Sequence, residues 1–366
     1  MLHKCSTNSV SDQPTWSLVV TTKAPAVFVK CFIAHHLLLG AKELWVFFDD
    51  PQDVAFDVVN AIPGVRAFRC DQNHWAQSES GRPPTVSKRQ MFNANLALRH
   101  SQTDWLGHID MDEFLHPLTP LAEMLASVAS HVQTVRLPPC EKVFPHPPTV
   151  FRDTLTGPFK KALGQNQDGW MANVLLHGDI AQYFPAALQG HFAGKIFLRK
   201  GTDLQFWNNH YAGYPVELEV PDLEHPKLQF EVNARSLALP AQQDSVVLLH
   251  FFVWSYGDWC GKYLRRLAPE QFAAANGFNR KKWGLLREAA TRGEAAVRAL
   301  FSRANILTST KAEVLERMNA LVEVDLALEA KVRQVFGPGD HGFDDELPDM
   351  AFDELQRVLR SYTAAP

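Results

Sequence analysis

Cysteine is scarce in this 366-residue chain: Cys5, Cys31, Cys70, Cys140 and Cys260 are odd in number, scattered and never spaced as C-x-x-C. That argues against a disulfide framework and a cysteine zinc site, and it fits a reducing compartment. Basic charge is not in excess, because 36 Lys and Arg face 40 Asp and Glu for a formal net charge of -4. Polyanion binding is therefore not expected as the main role. The longest uncharged apolar stretches, around 31–41 and 246–257, fall well short of the roughly 20 residues that a membrane-spanning helix needs. The opening residues have no apolar core of signal-peptide length, and Lys23 and Lys30 interrupt the first hydrophobic segments, so secretion is not expected. Familiar fingerprints are missing as well. There is no G-x-G-x-x-G after the first predicted strand, no H-E-x-x-H and no G-x-S-x-G, and Gly190 to Lys195 has the wrong spacing for a P-loop.

What is present is a globular composition, 46% hydrophobic with 24 Phe, 9 Trp and 6 Tyr. From Ser17 the chain alternates between two periodicities. Residues 17–22, 43–50, 64–70 and 104–110 read as strands, and residues 24–39, 51–62 and 86–100 between them read as helices. The run ELWVFFDD is almost continuously apolar, as in a strand buried on both faces. Such β-α repetition with short connections predicts an α/β fold, a mainly parallel sheet flanked by helices. Ligands of these sheets collect at the carboxyl ends of the strands. Asp49 and Asp50 end one predicted strand and Asp110 ends another, which makes that rim the first candidate site.

Residues 132–253 are richer in proline, glycine and aromatics and suggest strands and long loops, whereas the chain turns helical from Gly257. The expected organisation is a tail at 1–16, an α/β domain at 17–260 and a C-terminal helical extension at 261–366. Within the extension, residues 261–312 carry 11 basic against three acidic side chains, and residues 313–366 carry five against 12. Two readings follow: helix faces that neutralise one another, or a basic face toward a lipid surface or anionic acceptor.

The sharpest local signal is His108-Ile109-Asp110-Met111-Asp112-Glu113-Phe114. Two carboxylates at i and i+2 on an extended segment project to one side, close enough to share a divalent cation such as Mg2+ or Mn2+. A solvated acidic turn is the plain alternative. The flanking Leu106, Ile109, Phe114 and Leu115 favour a metal, because carboxylates held near a core need a partner.

WLGHIDMDEFL resembles the metal-binding DxD region of nucleotide-sugar glycosyltransferases of the GT-A fold, specifically the bacterial family-2-like group with DxDEF and its relatives in family 92. AHHLLLGAKELWVFFDDPQD, KRQMFNANLAL, GHFAGKIFLRKG, His210 and LLHFFVWSYGDWCGKY are similar to further elements of that group, in the same order, over about residues 17–263. The opening TTKAP departs from it, since the group usually has an Asn-Glu pair there. The resemblance implies a GT-A-like, Rossmann-type domain and transfer of a sugar, from a UDP-sugar or related donor, to a hydroxyl of a glycan or lipid-linked acceptor, by direct displacement with inversion. It implies Asp110, Asp112 and His250 as ligands of Mn2+ or Mg2+. For donor contacts it implies Lys195 and Arg199 at the diphosphate, Asp49 and Asp50 at the base or ribose, and Arg89 and Gln90 from their helix. His35 and His36 read as helix packing. An inverting transferase needs a general base, for which Asp179 and Asp258 are the candidates in aromatic-rich surroundings. The expected location is cytoplasmic, with contact at the inner face of a membrane through 261–312, and nucleic acid is not an expected partner. Two other readings stay open: a metal-dependent enzyme acting on a nucleotide or phosphate ester, and a non-catalytic nucleotide-sugar-binding module.

Overall fold

The computed structural model describes residues 13–214 and 246–363. The expected tail, apart from its last residues, lies outside them. The described strands are β1 (Trp16–Thr22), β2 (Glu43–Phe48), β3 (Val65–Arg69), β4 (Trp105–His108), β5 (Glu113–Pro117), β6 (Thr134–Leu137) and β7 (Pro139–Lys142). They continue with β8 (Thr156–Lys161), β9 (Lys195–Arg199), β10 (Gln205–Asn208), β11 (Tyr211–Gly213), β12 (Val246–His250) and β13 (Leu321–Asp325). The chain packs as two compact units, each discontinuous in sequence. One takes the described parts of Met1–Pro138, Ala193–Leu248 and Lys331–Pro338, and the other takes Pro139–Phe192, Leu249–Ala330 and Gly339–Pro366. Residue 260, the expected domain end, falls inside the helix Tyr256–Leu267.

The first unit carries the expected α/β architecture, a six-stranded sheet in the order β3-β2-β1-β4-β9-β6. β3, β2, β1 and β4 pair in parallel, while β9 runs antiparallel to both β4 and β6. The helices α1 (Ala26–Leu38), α2 (Ala55–Asn60), α3 (Gln72–Trp75) and α4 (Val86–His100) occupy the connections. Alternation along the strands sends Val19, Trp45, Phe47, Leu106, Ile196 and Leu198 into one apolar cluster with Met91, Ala94 and Ala97 of α4. The opposite residues Leu18, Val20, Leu44, Val46 and Phe48 are buried too, so both sheet faces are covered and the strands read as unbroken apolar runs. Gly107 is required where it stands. A β-carbon there would come within 2.6 Å of the Phe197 ring on the paired strand β9.

The second unit contains an antiparallel run β13-β8-β7 and the C-terminal helices. One of its cores joins Trp259, Tyr263 and Leu267 of Tyr256–Leu267 to Leu286, Val297, Phe301 and Leu355. Two of its elements escape the sequence pattern. The helix Gln167–His177 buries Ala172, Asn173, Leu176 and His177 but leaves Trp170, Met171, Val174 and Leu175 exposed, so apolar spacing does not mark its inner face. β13 interrupts the expected helical extension because its partner β8 lies far away in sequence. Among the described residues no helix is long and apolar enough to cross a membrane.

Much of the positive charge of 261–312 is spent inside this unit. Arg303 pairs with Asp179, Arg298 with Glu294 and Arg292 with Glu288, while Lys262, Arg280, Lys282 and Lys311 donate to backbone carbonyls. At these seven residues the charge is paired or hydrogen-bonded within the unit.

Candidate active site at the carboxyl rim of the parallel sheet

Because β1, β2 and β4 run in parallel, the residues just past β2 and β4 reach the same rim. Asp49 and Asp50 follow β2, and Asp110 follows β4 by two residues. β9 runs the opposite way, with Ile196 paired to His108, so its first residue, Lys195, reaches that rim as well. Gly194, at φ 72°, makes the approach, and a β-carbon there would come within 2.1 Å of the Leu137 carbonyl. α4 begins with Thr85 as N-cap, its hydroxyl accepting the Lys88 N–H, and this places Arg89 and Gln90 in its opening turns.

These elements converge on Asp110. Gln90 Nε2 donates to Asp110 Oδ1 at 2.7 Å and Lys195 Nζ donates to Oδ2 at 2.7 Å. Glu113, fully buried, accepts the Asp110 N–H at 2.6 Å and faces Lys195 Nζ at 3.5 Å. Burial pushes the Lys195 pKa down, but Asp110 and Glu113, helped by Asp112, outweigh it and hold the ammonium above the ordinary lysine value. Lys195 is therefore a buried cation that fixes the acidic turn, and at 0% side-chain exposure it does not present itself to a donor diphosphate as expected. Asp110, in contrast, keeps 27% of its side chain exposed, and Asp112 is half-buried.

Gln90 is held in turn by Asn209, which donates to its Oε1 at 2.8 Å and accepts from Ser87 at 3.1 Å. Beneath them His108 is 1% exposed, and neither ring nitrogen has a hydrogen-bond partner among the described residues. Burial first, then the Lys195 charge, lowers its pKa to about 3, so the ring is neutral.

Asp49 is already satisfied. Arg89 grips both of its oxygens, at 2.7 and 2.9 Å, and Arg82 reaches Oδ1 at 3.1 Å. Burial pushes this carboxyl up, but the two guanidinium groups prevail and hold it below the usual aspartate range. Asp49 thus orients two arginines instead of standing open to a base or ribose. Asp50 closes the following turn, accepting the Gln52 N–H at 3.0 Å, and lies 3.7 Å from exposed Lys23.

Arg199 is not brought to this rim. It pairs with Trp105 at the start of β4, four residues along β9 from Lys195, or roughly 13 Å in strand rise. Its guanidinium is spent on the carbonyls of Val132, Val128 and Ala129 and lies over the Trp105 ring. Asp179, His250 and Asp258 belong to the second unit. Asp179 is a surface carboxylate, 81% exposed and paired with Arg303. Asp258 sits in the first turn of Tyr256–Leu267, where its N–H donates to the N-cap Ser255 and its carboxylate lies 3.8 Å from Lys262. His250 is buried, its ring 5.5 Å from that of His191 and 5.6 Å from that of Phe252.

Sequence reading missed Arg82 and Asn209. Arg82 and Asn209 lie in irregular segments with no periodicity, and only their bonds to Asp49 and Gln90 reveal them. The four described cysteines are free and buried.

The donor chemistry of the rim fits a hard divalent ion. Asp110 presents a partly exposed carboxylate, and Asp112 adds a second, half-buried one two residues on. Mg2+ in particular is commonly held by one or two carboxylates together with substrate phosphates.

No family and no curated protein matches the chain. Among solved structures it is similar to HddC from Yersinia pseudotuberculosis, at 10% identity and a TM-score of 0.29, over 51% of this chain and 77% of that one. It is also similar to residues 1–349 of S. aureus TarS, at 12% identity and a TM-score of 0.27, over 95% of this chain and 91% of that one.

Proposed function

We propose that this protein is a metal-dependent glycosyltransferase that moves a sugar from a nucleoside-diphosphate donor, a UDP-sugar in the first instance, to a hydroxyl of a glycan or lipid-linked glycan. The observation that carries this reading is the immobilised, partly exposed Asp110 at the carboxyl rim of a parallel sheet, with Asp112 beside it. The resemblance of the surrounding motif to the DxDEF glycosyltransferases supports the same reading.

In this proposal Asp110 and Asp112 hold Mn2+ or Mg2+; when bound, the ion would act as a Lewis acid on the departing diphosphate. The chain's own contribution is preorganisation. Gln90 and Lys195 fix the two oxygens of Asp110, and Glu113 fixes its backbone, so the carboxylate needs no reordering when donor arrives. Arg82 and Arg89, aligned by Asp49, supply cationic donors at the neighbouring strand end.

Purified protein incubated with a panel of nucleotide-sugars, glycan acceptors and Mn2+ should give a glycosylated product detectable by mass spectrometry. Asp112→Ala should lower turnover by about 10²–10³-fold, the loss typical of removing one electrostatic contact to a developing charge. Wild-type turnover in that variant would refute the metal assignment. Phosphate release from a nucleotide without acceptor would move the site to phosphate-ester chemistry, and donor binding without turnover would make it a binding module.

A further inference from the structure

The two adjacent histidines of α1 do more than pack. His35 and His36 are 2% and 0% exposed, and their four ring nitrogens all have partners within the first unit. His36 Nδ1 lies 2.8 Å from the Phe32 carbonyl, so it carries the proton and donates. Nε2 of the same ring is then the lone-pair nitrogen, and it accepts the Leu115 N–H at 3.2 Å. His35 uses the other tautomer. Its Nε2 donates to the Leu115 carbonyl at 2.7 Å, and its Nδ1 accepts from Lys331 Nζ at 3.1 Å. Two imidazoles thus grip both backbone groups of one residue of β5, as a neighbouring strand would. Phe114 is locked along with it, its ring stacked on His36 at 5.7 Å and edge-on to His35 at 5.5 Å. Burial keeps both imidazoles neutral, lowering His35 to about 3 and His36 well below the ordinary histidine value.

Leu115 lies two residues beyond Glu113, whose carboxylate holds the Asp110 N–H and faces Lys195. The turn bearing Asp110 and Asp112 is therefore tied on one side by Gln90 and Lys195 and on the other, through Leu115, by α1. We propose that His35 and His36 are positioning residues for the acidic motif: a neutral, tautomer-matched clamp that sets the register in which Asp110 and Asp112 are presented. This rests on the proposed role of those aspartates in holding a metal. Histidine suits the task because its rigid ring aims one donor and one acceptor in fixed directions.

Full-length His36→Phe keeps the ring and its stacking but deletes the acceptor, whereas His36→Gln returns an acceptor near the place of Nε2. Two readouts separate the clamp from its purpose: amide hydrogen exchange across residues 109–117, and Mn2+ affinity by calorimetry with UDP present. His36→Phe should speed exchange in that segment and weaken Mn2+ by about 10-fold, the usual cost of losing an outer support of a metal ligand, while His36→Gln stays near wild type. A folded His36→Phe with unaltered exchange and affinity overturns the clamp, as does a His36→Gln impaired to the same degree. If wild type binds no Mn2+, the metal reading fails, and exchange alone judges the clamp by the same criterion. Should His36→Phe not fold, Lys331→Met removes only the ammonium that pins the His35 tautomer. Faster exchange at 109–117 is then expected, and unchanged exchange overturns the proposal.

Discussion

Lys195 with Asp110 and Glu113 in the first unit, and Lys160 with Glu141 in the second, are built from the same chemical groups and serve different ends. Lys160 and Glu141 are 2% and 1% exposed and lie 3.2 Å apart. Both Glu141 oxygens are also consumed by backbone, accepting the N–H of Gln189 at 3.0 Å and of Gly190 at 2.7 Å. Gln189 is saturated in turn: its carbonyl accepts from Lys282, its Oε1 from Trp259, and its Nε2 donates to Asn305. That network ties β7 to three helices and leaves no lone pair facing outward, so its outcome is a rigid core. In the first unit the lysine is just as buried, yet one of its two carboxylates, Asp110, keeps a quarter of its surface in water. Residue type does not separate a structural ion pair from a candidate site. Exposure does.

Four measurements would sharpen or break that contrast. Glu141→Leu should destabilise the protein most, by about 3–5 kcal/mol, because it strands the buried Lys160 charge and two backbone N–H groups. Denaturant unfolding reads this directly, and a loss below about 1 kcal/mol would show that the network is not the hub described. Asp112→Ala should leave unfolding within about 0.5–1 kcal/mol of wild type while sharply lowering transfer, since a half-buried rim carboxylate contributes little to stability. A large unfolding cost there would make the acidic turn a structural element of the Glu141 kind.

Asp49 gives a smaller, pH-dependent effect. Its folded pKa is depressed by Arg89 and Arg82, so it contributes stability that is present above the unfolded aspartate value of about 3.9 and lost as pH falls through the lower folded value. Arg89→Met should flatten the acid limb of a stability–pH curve between about pH 5 and 2; an unaltered limb would remove Asp49 from the balance. The smallest effect is expected at Arg199. Arg199→Met should leave donor affinity unchanged by calorimetry, because its guanidinium bonds carbonyls at the far end of β9, and a weakened donor would return it to the site.

The sequence carried a good deal of the first unit. α4 falls on the predicted residues 86–100, and β1, β2, β3 and β4 fall within one or two residues of the expected spans. These elements were legible because each is a local pattern: an apolar stripe every three to four residues, or an unbroken apolar run ending in carboxylates. The rim positions of Asp49 and Asp110 followed from strand ends in the same way. Roles were less legible than positions. Lys195 and Arg199 looked alike as cations near one short strand, yet antiparallel pairing sends one to the acidic turn and the other to the opposite edge. The helix Gln167–His177 was missed because its exposed face is as apolar as its buried one.

Composition and periodicity by themselves determined an α/β chain with a mainly parallel sheet and acidic residues gathered at its carboxyl rim, since hydrophobic spacing and strand ends are properties of neighbours along the chain. Only the tertiary structure decided which charges are buried and which stay exposed. Lys195 meets Asp110 across 85 residues, Gln189 meets Asn305 across 116 and Lys331 meets His35 across 296. Partners so far apart leave no trace in local pattern, because the energy that pairs them exists only once the fold has removed water from between them.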